Sequence, residues 1–204
     1  MKSLCLLVDA VILIYLHKLN LLSALLPLKS RLRCEFLITP QIYNELKDRE
    51  LRKAFDGLLR AKVIRVFDPD AEADRAIVQE MYQVSNYMQL GESSLFAVAL
   101  HKGFSVLTHD LEAISVFKTN YPHAQVFCYD FYLLLFLLHH LTGTSVRECE
   151  KHLKILRDNY GFRIEPAISY LGLKGFFERV QANLEDHFDT SISDILHKKE
   201  RNIK

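Results

Sequence analysis

Apolar residues run almost unbroken from Leu4 to Leu16 in the stretch LCLLVDAVILIYL, and Asp9 is the one charge among them. Residues 4–8 have the length and apolar character of a buried parallel strand. Residues 10–19 read as a helix that is apolar nearly all round, and therefore buried. A second short helix is expected over 20–28 and a strand over 36–38. Thr39 offers a cap for the next helix and Pro40 suits its first position. That helix, QIYNELKDR, precedes another over 51–61, and the β-branched run VIRVF at 63–67 predicts a strand. Residues 68–70 form a turn and cap. A helix follows over 71–87, Gly91 breaks the chain, and 92–101 is helical again up to Gly103. SVLT at 105–108 is a strand, 111–119 a helix, Pro122 marks a turn, and AQVFC at 124–128 is the last strand. Strands alternating with helices predict a parallel sheet covered on both faces.

The character changes after Leu141. Ser145 and Glu148 have capping-box spacing. Val146, Cys149, Leu153 and Leu156 keep a helical period, and Gly161 stands at that helix's end. FRI follows, then Pro166 and a helix to about residue 187. The charged end HKKERNIK is expected to fray. The reading is an α/β domain over 1–141 with a C-terminal helical extension over 142–204. There is no internal repeat and no low-complexity segment.

Composition adds limits. Half of the 204 residues are hydrophobic, enough for a full core without staples. With 26 basic and 25 acidic residues the net charge is +1, so no global basic field advertises nucleic acid and only a local patch could. None of the four cysteines stands in a CxxC pair, which removes zinc-ribbon and redox motifs and points to a reducing, cytoplasmic setting. His17 and Lys18 close the first apolar run at about half of the ~20 residues that a membrane span needs. FYLLLFLL at 131–138 is shorter still. Both read as core segments, with no membrane.

A buried, unpaired carboxylate costs several kcal/mol, so Asp9 needs a reason. In an open parallel sheet ligands bind beyond the carboxyl ends of the strands, at the point where strand order reverses. Asp9 follows the first strand and Asp110 follows the strand ending at Thr108, so the two become neighbours if those strands flank that point. Ile42, Glu45 and Leu46 share one helix face, which turns Glu45 toward the apolar side. Glu92, Leu95, Phe96 and Ala99 repeat the arrangement, and Glu92 also lies at a helix start that favours an anion. Four converging carboxylates repel one another unless a hard divalent cation joins them, and Mg²⁺ and Mn²⁺ take oxygen ligands. Such a site can activate water and steady an in-line displacement at phosphorus. Each acid also has a plainer role: Asp110 as an N-cap, Glu92 as a first-turn acid, Glu45 as a surface residue. Capping suffices for Asp68 and Asp70.

The stretches LLVDAVILIYL, ITPQIYNEL, LGESSLFAVALHKGFSVLTHDLEAISVF and VFCYDFYLLLFLL together resemble the PIN-domain nucleases, and GESSLFAVALHKG followed by VLTHD is the most specific part. The tail KHLKILRDNYGFRIEPAISYLGL resembles the helix–turn–helix tail of PIN toxins. The likeness covers roughly residues 4 to 175. It implies a Rossmann-like three-layer α/β/α sandwich with a parallel five-stranded sheet. It also implies metal-dependent hydrolysis of RNA phosphodiesters with Mg²⁺ or Mn²⁺, a toxin role with an antitoxin partner, and a homodimer. Carried over, the four acids are Asp9, Glu45, Glu92 and Asp110. The chain departs from the family pattern at Ala10 and Val11, where polar residues are usual. It departs again at Ser94, where the third acid often stands, and at His109, in place of a paired acid.

Nucleotide-binding GxxxxGK and GxGxxG loops are absent. Val11 stands where a haloacid-dehalogenase phosphatase needs a second Asp, and residues 4–8 lack the acidic pair of a receiver domain. His139 and His140, adjacent on a helix, point about 100° apart and do not chelate one ion. The alternative from another class is a catalytically degenerate PIN-like module that binds RNA or a partner protein, with Ala10, Val11 and His109 in its favour.

Overall fold

The computed structural model describes residues 4–71 and 74–201. In chain order the elements are β1 (Leu4–Val8), α1 (Ala10–Lys18), a 3-10 turn (Leu22–Ala24), α2 (Leu25–Leu32), β2 (Cys34–Ile38), α3 (Pro40–Glu45), α4 (Arg49–Arg60) and β3 (Ile64–Val66). There follow α5 (Arg75–Val84), α6 (Leu90–Lys102), β4 (Ser105–Leu107), α7 (Leu111–Asn120), β5 (Cys128–Tyr129), α8 (Phe131–Leu137) and a π-helical turn (Leu138–Thr142). The chain ends with α9 (Val146–Tyr160), α10 (Pro166–Ala182), α11 (Leu184–His187) and α12 (Thr190–Arg201). Two compact units emerge. One takes the chain up to Ile14 together with Arg33–Phe131; the other takes Tyr15–Leu32 and the chain from Tyr132 on.

The first unit holds the sheet, in the order β3-β2-β1-β4-β5 with every pair parallel. Leu6 lies beside Phe36 on one side and Ser105 on the other, which makes β1 the central strand. Leu6, Leu7, Val8, Phe36, Leu37, Ile38, Val106 and Leu107 are all buried. Successive strand residues face opposite ways, so burial of consecutive positions requires cover on both faces. The fold is therefore a three-layer α/β/α sandwich of the PIN-like kind, with strand order reversing between β1 and β4.

Local signals fix most boundaries. Thr39 caps α3 through Ile42 N–H with Pro40 in its first turn, Asp48 caps α4 through Leu51 N–H, and Gly103 ends α6 in the left-handed region at φ 67°. Three expectations change. Gly91 does not break the chain but lies in the first turn of α6. The helix expected over 71–87 starts only at Arg75, capped by Asp74. The strand expected over 124–128 is reduced to Cys128–Tyr129.

In the second unit Ser145 and Glu148 form the capping box of α9, whose Cys149, Leu153 and Leu156 are buried. Phe136 packs against Phe177 and Phe188, and Tyr132 against Phe162, with the Tyr132 hydroxyl donating to Arg163 O at 3.2 Å. The helix expected from Pro166 to about residue 187 is broken at Gly172 (φ 69°) and again after Ala182. Residues 190–201, expected in part to fray, form α12, whose Ile192 N–H is received by Asp189 Oδ1 at 3.0 Å. The last three residues of the charged tail lie outside the described chain. The four cysteines form no disulfide. Among the described residues no single helix is long and apolar enough to cross a membrane.

Candidate active site

Asp9 stands where β1 gives way to α1. Its backbone N–H donates to Leu107 O at 3.0 Å, and its own carbonyl receives Leu13 N–H at 3.3 Å. It is thus stitched to β4 on one side and starts a helix on the other. The exit of the strand is not open to water: Asp9 is only 5% exposed. Its carboxylate accepts the Thr108 hydroxyl at 2.6 Å on Oδ2 and the backbone N–H groups of Ala10 and Val11. These donors favour the anion, but burial outweighs them and holds the pKa above the usual carboxylate range, with the charge of Asp110 adding to the rise.

Thr108 joins two acids. While its hydroxyl donates to Asp9, its oxygen receives the Asp110 N–H at 3.1 Å. Asp110 in turn caps α7, its Oδ1 receiving Ala113 N–H at 2.8 Å. The N-cap role read from the sequence is therefore present, and it coexists with a position facing Asp9 and Glu92. Glu92 lies in the first turn of α6, where its Oε2 receives Gln89 N–H at 3.1 Å. Burial pushes its pKa to about 7, and the charges of Asp110 and Asp9 and a hydrogen bond to Asp110 push the same way. A small cleft lined by Tyr87, Met88, Gln89, Ala113 and Val116 opens onto Glu92 and Asp110.

Glu45 departs in part from expectation. As a residue it is exposed, not turned to the apolar side, because α3 ends there and leaves its flank open. Its carboxylate nevertheless folds back over α6 and accepts Gly91 N–H. A Cβ built on Gly91 would fall onto Glu45 Oε1 and 2.6 Å from its Cδ, so only glycine admits the carboxylate there. Burial and the charge of Asp9 raise the Glu45 pKa, and Lys47 opposes the rise.

The four acids singled out from the sequence thus form one electrostatic group centred on Asp9, which feels or acts on Asp110, Glu45 and Glu92. Among the described residues, no three His, Cys, Asp or Glu side chains stand as a ready ligand set for one ion. Each acid instead holds at least one local donor: Thr108 for Asp9, Gly91 for Glu45, Gln89 for Glu92 and Ala113 for Asp110.

Sequence reasoning overlooked a polar link beneath the acids. Ser94 donates to Gly91 O at 2.6 Å, so the 2.6 Å contact between Ser94 Oγ and Thr39 Oγ1 has Thr39 as the donor, while Thr39 accepts Ile42 N–H. Both side chains are buried. They bind the start of α3 to the start of α6, the two helices that carry Glu45 and Glu92. Ser94 therefore works as a brace. His109, in the position of a paired acid, is held neutral: burial lowers its pKa to about 4 despite the nearby Asp110.

Over 62 residues the chain is 32% identical to Endoribonuclease Nob1 of Pyrococcus abyssi, a match that spans 30% of this chain and 38% of that protein. No family model matches the chain, and neither does a solved structure.

Proposed function

We propose that the protein is a metal-dependent endoribonuclease of PIN type, with Asp9, Glu45, Glu92 and Asp110 holding Mg²⁺ or Mn²⁺ against an RNA substrate. The observation that carries this reading is the position of Asp9: a buried carboxylate at the switch point of a parallel sheet, coupled to three further acids. The local similarity to an endoribonuclease supports the reaction class. The donor set suits a hard dication, since it offers oxygen only, and burial first and mutual repulsion second raise the pKa of three of its members. When bound, such an ion supplies an activated water and offsets charge at phosphorus.

The chain's own residues do the positioning. Thr108 and the start of α1 fix the Asp9 carboxylate, Gly91 seats Glu45, and the Thr39–Ser94 brace holds the helices that present Glu45 and Glu92. Glu92 carries a proton for part of the time near neutral pH and must release it for a cation to be held. Toxin function, an antitoxin partner and a homodimer have support only from the family resemblance.

A second reading, a catalytically degenerate module that binds RNA or a partner protein, is favoured by the lack, among the described residues, of three side chains standing as a ligand set. The apolar Ala10 and Val11 beside Asp9 point the same way. Cleavage of end-labelled RNA in Mg²⁺ or Mn²⁺ against EDTA, with Asp9→Asn in parallel, separates the two. The nuclease reading expects cleavage that needs metal and Asp9. It also expects metal to raise the melting temperature, since a ligand bound only by the folded state adds about 2.7 kcal/mol at a hundredfold excess over Kd. No cleavage and a flat melting temperature select the degenerate module.

A further inference from the structure

Helix α4 carries Arg49, Arg52, Lys53 and Arg60, which line a shallow groove together with Asp56. At about 100° per residue these five positions fall within an arc of about 100°, and they extend about 16 Å along the helix axis. Arg49, Lys53 and Arg60 are exposed, and Arg52 is half-buried. The one acid in the groove, Asp56, accepts the Tyr43 hydroxyl at 3.1 Å. The Arg52 guanidinium lies over the Tyr43 ring, 4.4 Å from its centroid, so it is held in place before any ligand arrives. Such a guanidinium loses less freedom on meeting a phosphate than an unsupported one.

The face adjoins the acid group. Tyr43 and Glu45 belong to the same helix, α3, and Lys47, whose charge Glu45 feels, lies two residues before Arg49. Arg49 stands four positions after Glu45, a reach of at most about 14 Å. A chain with near-zero net charge thus concentrates cations on one helix face that begins beside its carboxylates.

We infer that this face of α4 binds the phosphate backbone of single-stranded RNA and leads it toward Glu45 and Asp9. The inference rests on the ribonuclease reading for the identity of the polyanion. Phosphate contacts of this kind position a strand without reading its sequence. An acidic protein surface would also complement the charge. RNA is favoured because Arg49, at one end of the groove, stands four positions after Glu45, one of a group of acids that would repel an acidic protein, whereas that group suits a phosphodiester once a cation is present.

The test is the salt dependence of binding, measured by fluorescence anisotropy with a labelled single-stranded RNA of about 16 nucleotides in EDTA. Each lost phosphate contact to a single strand lowers the slope of log K against log salt by about 0.7. Arg49→Gln/Arg52→Gln/Lys53→Gln should therefore flatten the slope by about 2 and weaken binding about 10- to 100-fold at about 0.1 M salt. The control, Lys118→Gln/Lys151→Gln/Lys174→Gln, removes the same charge from exposed positions elsewhere and should retain the wild-type slope. An unchanged slope in the α4 variant overturns the inference, and so does an equal loss in the control or a wild type that binds no RNA. The last result is the one expected if the occupant is an acidic protein. Melting curves of both variants guard against unfolding. Cleavage plays no part in this readout, so an inactive protein that still binds RNA through α4 defeats the ribonuclease reading alone, whereas an active one with an unaltered slope defeats only the α4 inference.

Discussion

The hydroxyl of Thr108 donates to Oδ2 of Asp9 at 2.6 Å, across a sequence separation of 99 residues, and in the same place accepts the N–H of Asp110. One small side chain on the exit of β4 therefore sets both acids of the switch point. Thr108→Val keeps the shape and removes both bonds. A buried acceptor and a backbone donor left without their partner together cost about 1–3 kcal/mol. Urea denaturation of Thr108→Val, Asp9→Ala and the double variant should give a coupling of about 1 kcal/mol between the two sites. Strict additivity would mean that the bond contributes nothing in solution.

Asp9→Asn should abolish RNA cleavage and leave the folded state intact, within about 1 kcal/mol of the wild type. The folded-state pKa of Asp9 is raised, so the stability tied to its protonated form is complete below the ordinary carboxylate pKa and is lost as pH rises through the raised value. Above that window the wild type bears the cost of a buried charge that Asn does not carry. The variant should therefore gain on the wild type as pH rises from the ordinary carboxylate range through the raised value. If Asp9 instead neutralised a buried cation, the substitution would cost about 3–5 kcal/mol, and denaturation in acid and in alkaline buffer shows which sign holds.

Glu92 titrates near pH 7 because burial, Asp110 and Asp9 all disfavour its anion. The stability contributed by protonated Glu92 is present in full below pH 4.5 and declines as pH rises through about 7. Glu92→Gln should flatten the fall in stability between those two values, an effect on the order of 1 kcal/mol after solvent screening. Metal affinity should show the reverse trend, rising with pH through about 7, because the cation competes with that proton. Calorimetric titration with Mn²⁺ across this range reads the trend directly, and a pH-independent affinity would remove Glu92 from the site.

What could be read from the sequence was whatever short-range rules specify. Thr39 with Pro40, Ser145 with Glu148, and the glycines at 103 and 161 mark helix ends through residues a few positions apart, and all four signals hold in the structure. The five strands and their parallel pairing followed from apolar runs alternating with helices. The convergence of Asp9 with Asp110 followed from the rule that strand ends meet where strand order reverses. The features missed depend on distant partners. Gly91 reads locally as a breaker, because its reason for being glycine is Glu45, 46 positions earlier. Thr108 and Ser94 look like ordinary strand-end and helix residues until β1 and α3 are placed beside them. The basic face of α4 is dispersed over 12 residues and vanishes in a net charge of +1.

Gly91→Ala separates function from stability at a single atom. The new methyl would occupy the space of Glu45 Oε1, and the atom in its way is the far end of a flexible, exposed side chain. Glu45 can swing out at little cost, and alanine is intrinsically better than glycine in a helix by up to about 1 kcal/mol. Stability should therefore hold or rise. The carboxylate, however, loses its seat on Gly91 N–H and its approach to Asp9. Cleavage and the metal-induced rise in melting temperature should both fall, nearly as far as in Glu45→Ala. In a Glu45→Ala background nothing remains to displace, so Gly91→Ala should then leave the residual activity unchanged and still stabilise the helix. Measuring activity and melting temperature for the four proteins of this cycle tests the arrangement. If Gly91→Ala retained full cleavage while Glu45→Ala lost it, the contact between Glu45 and Gly91 would have no part in seating that carboxylate.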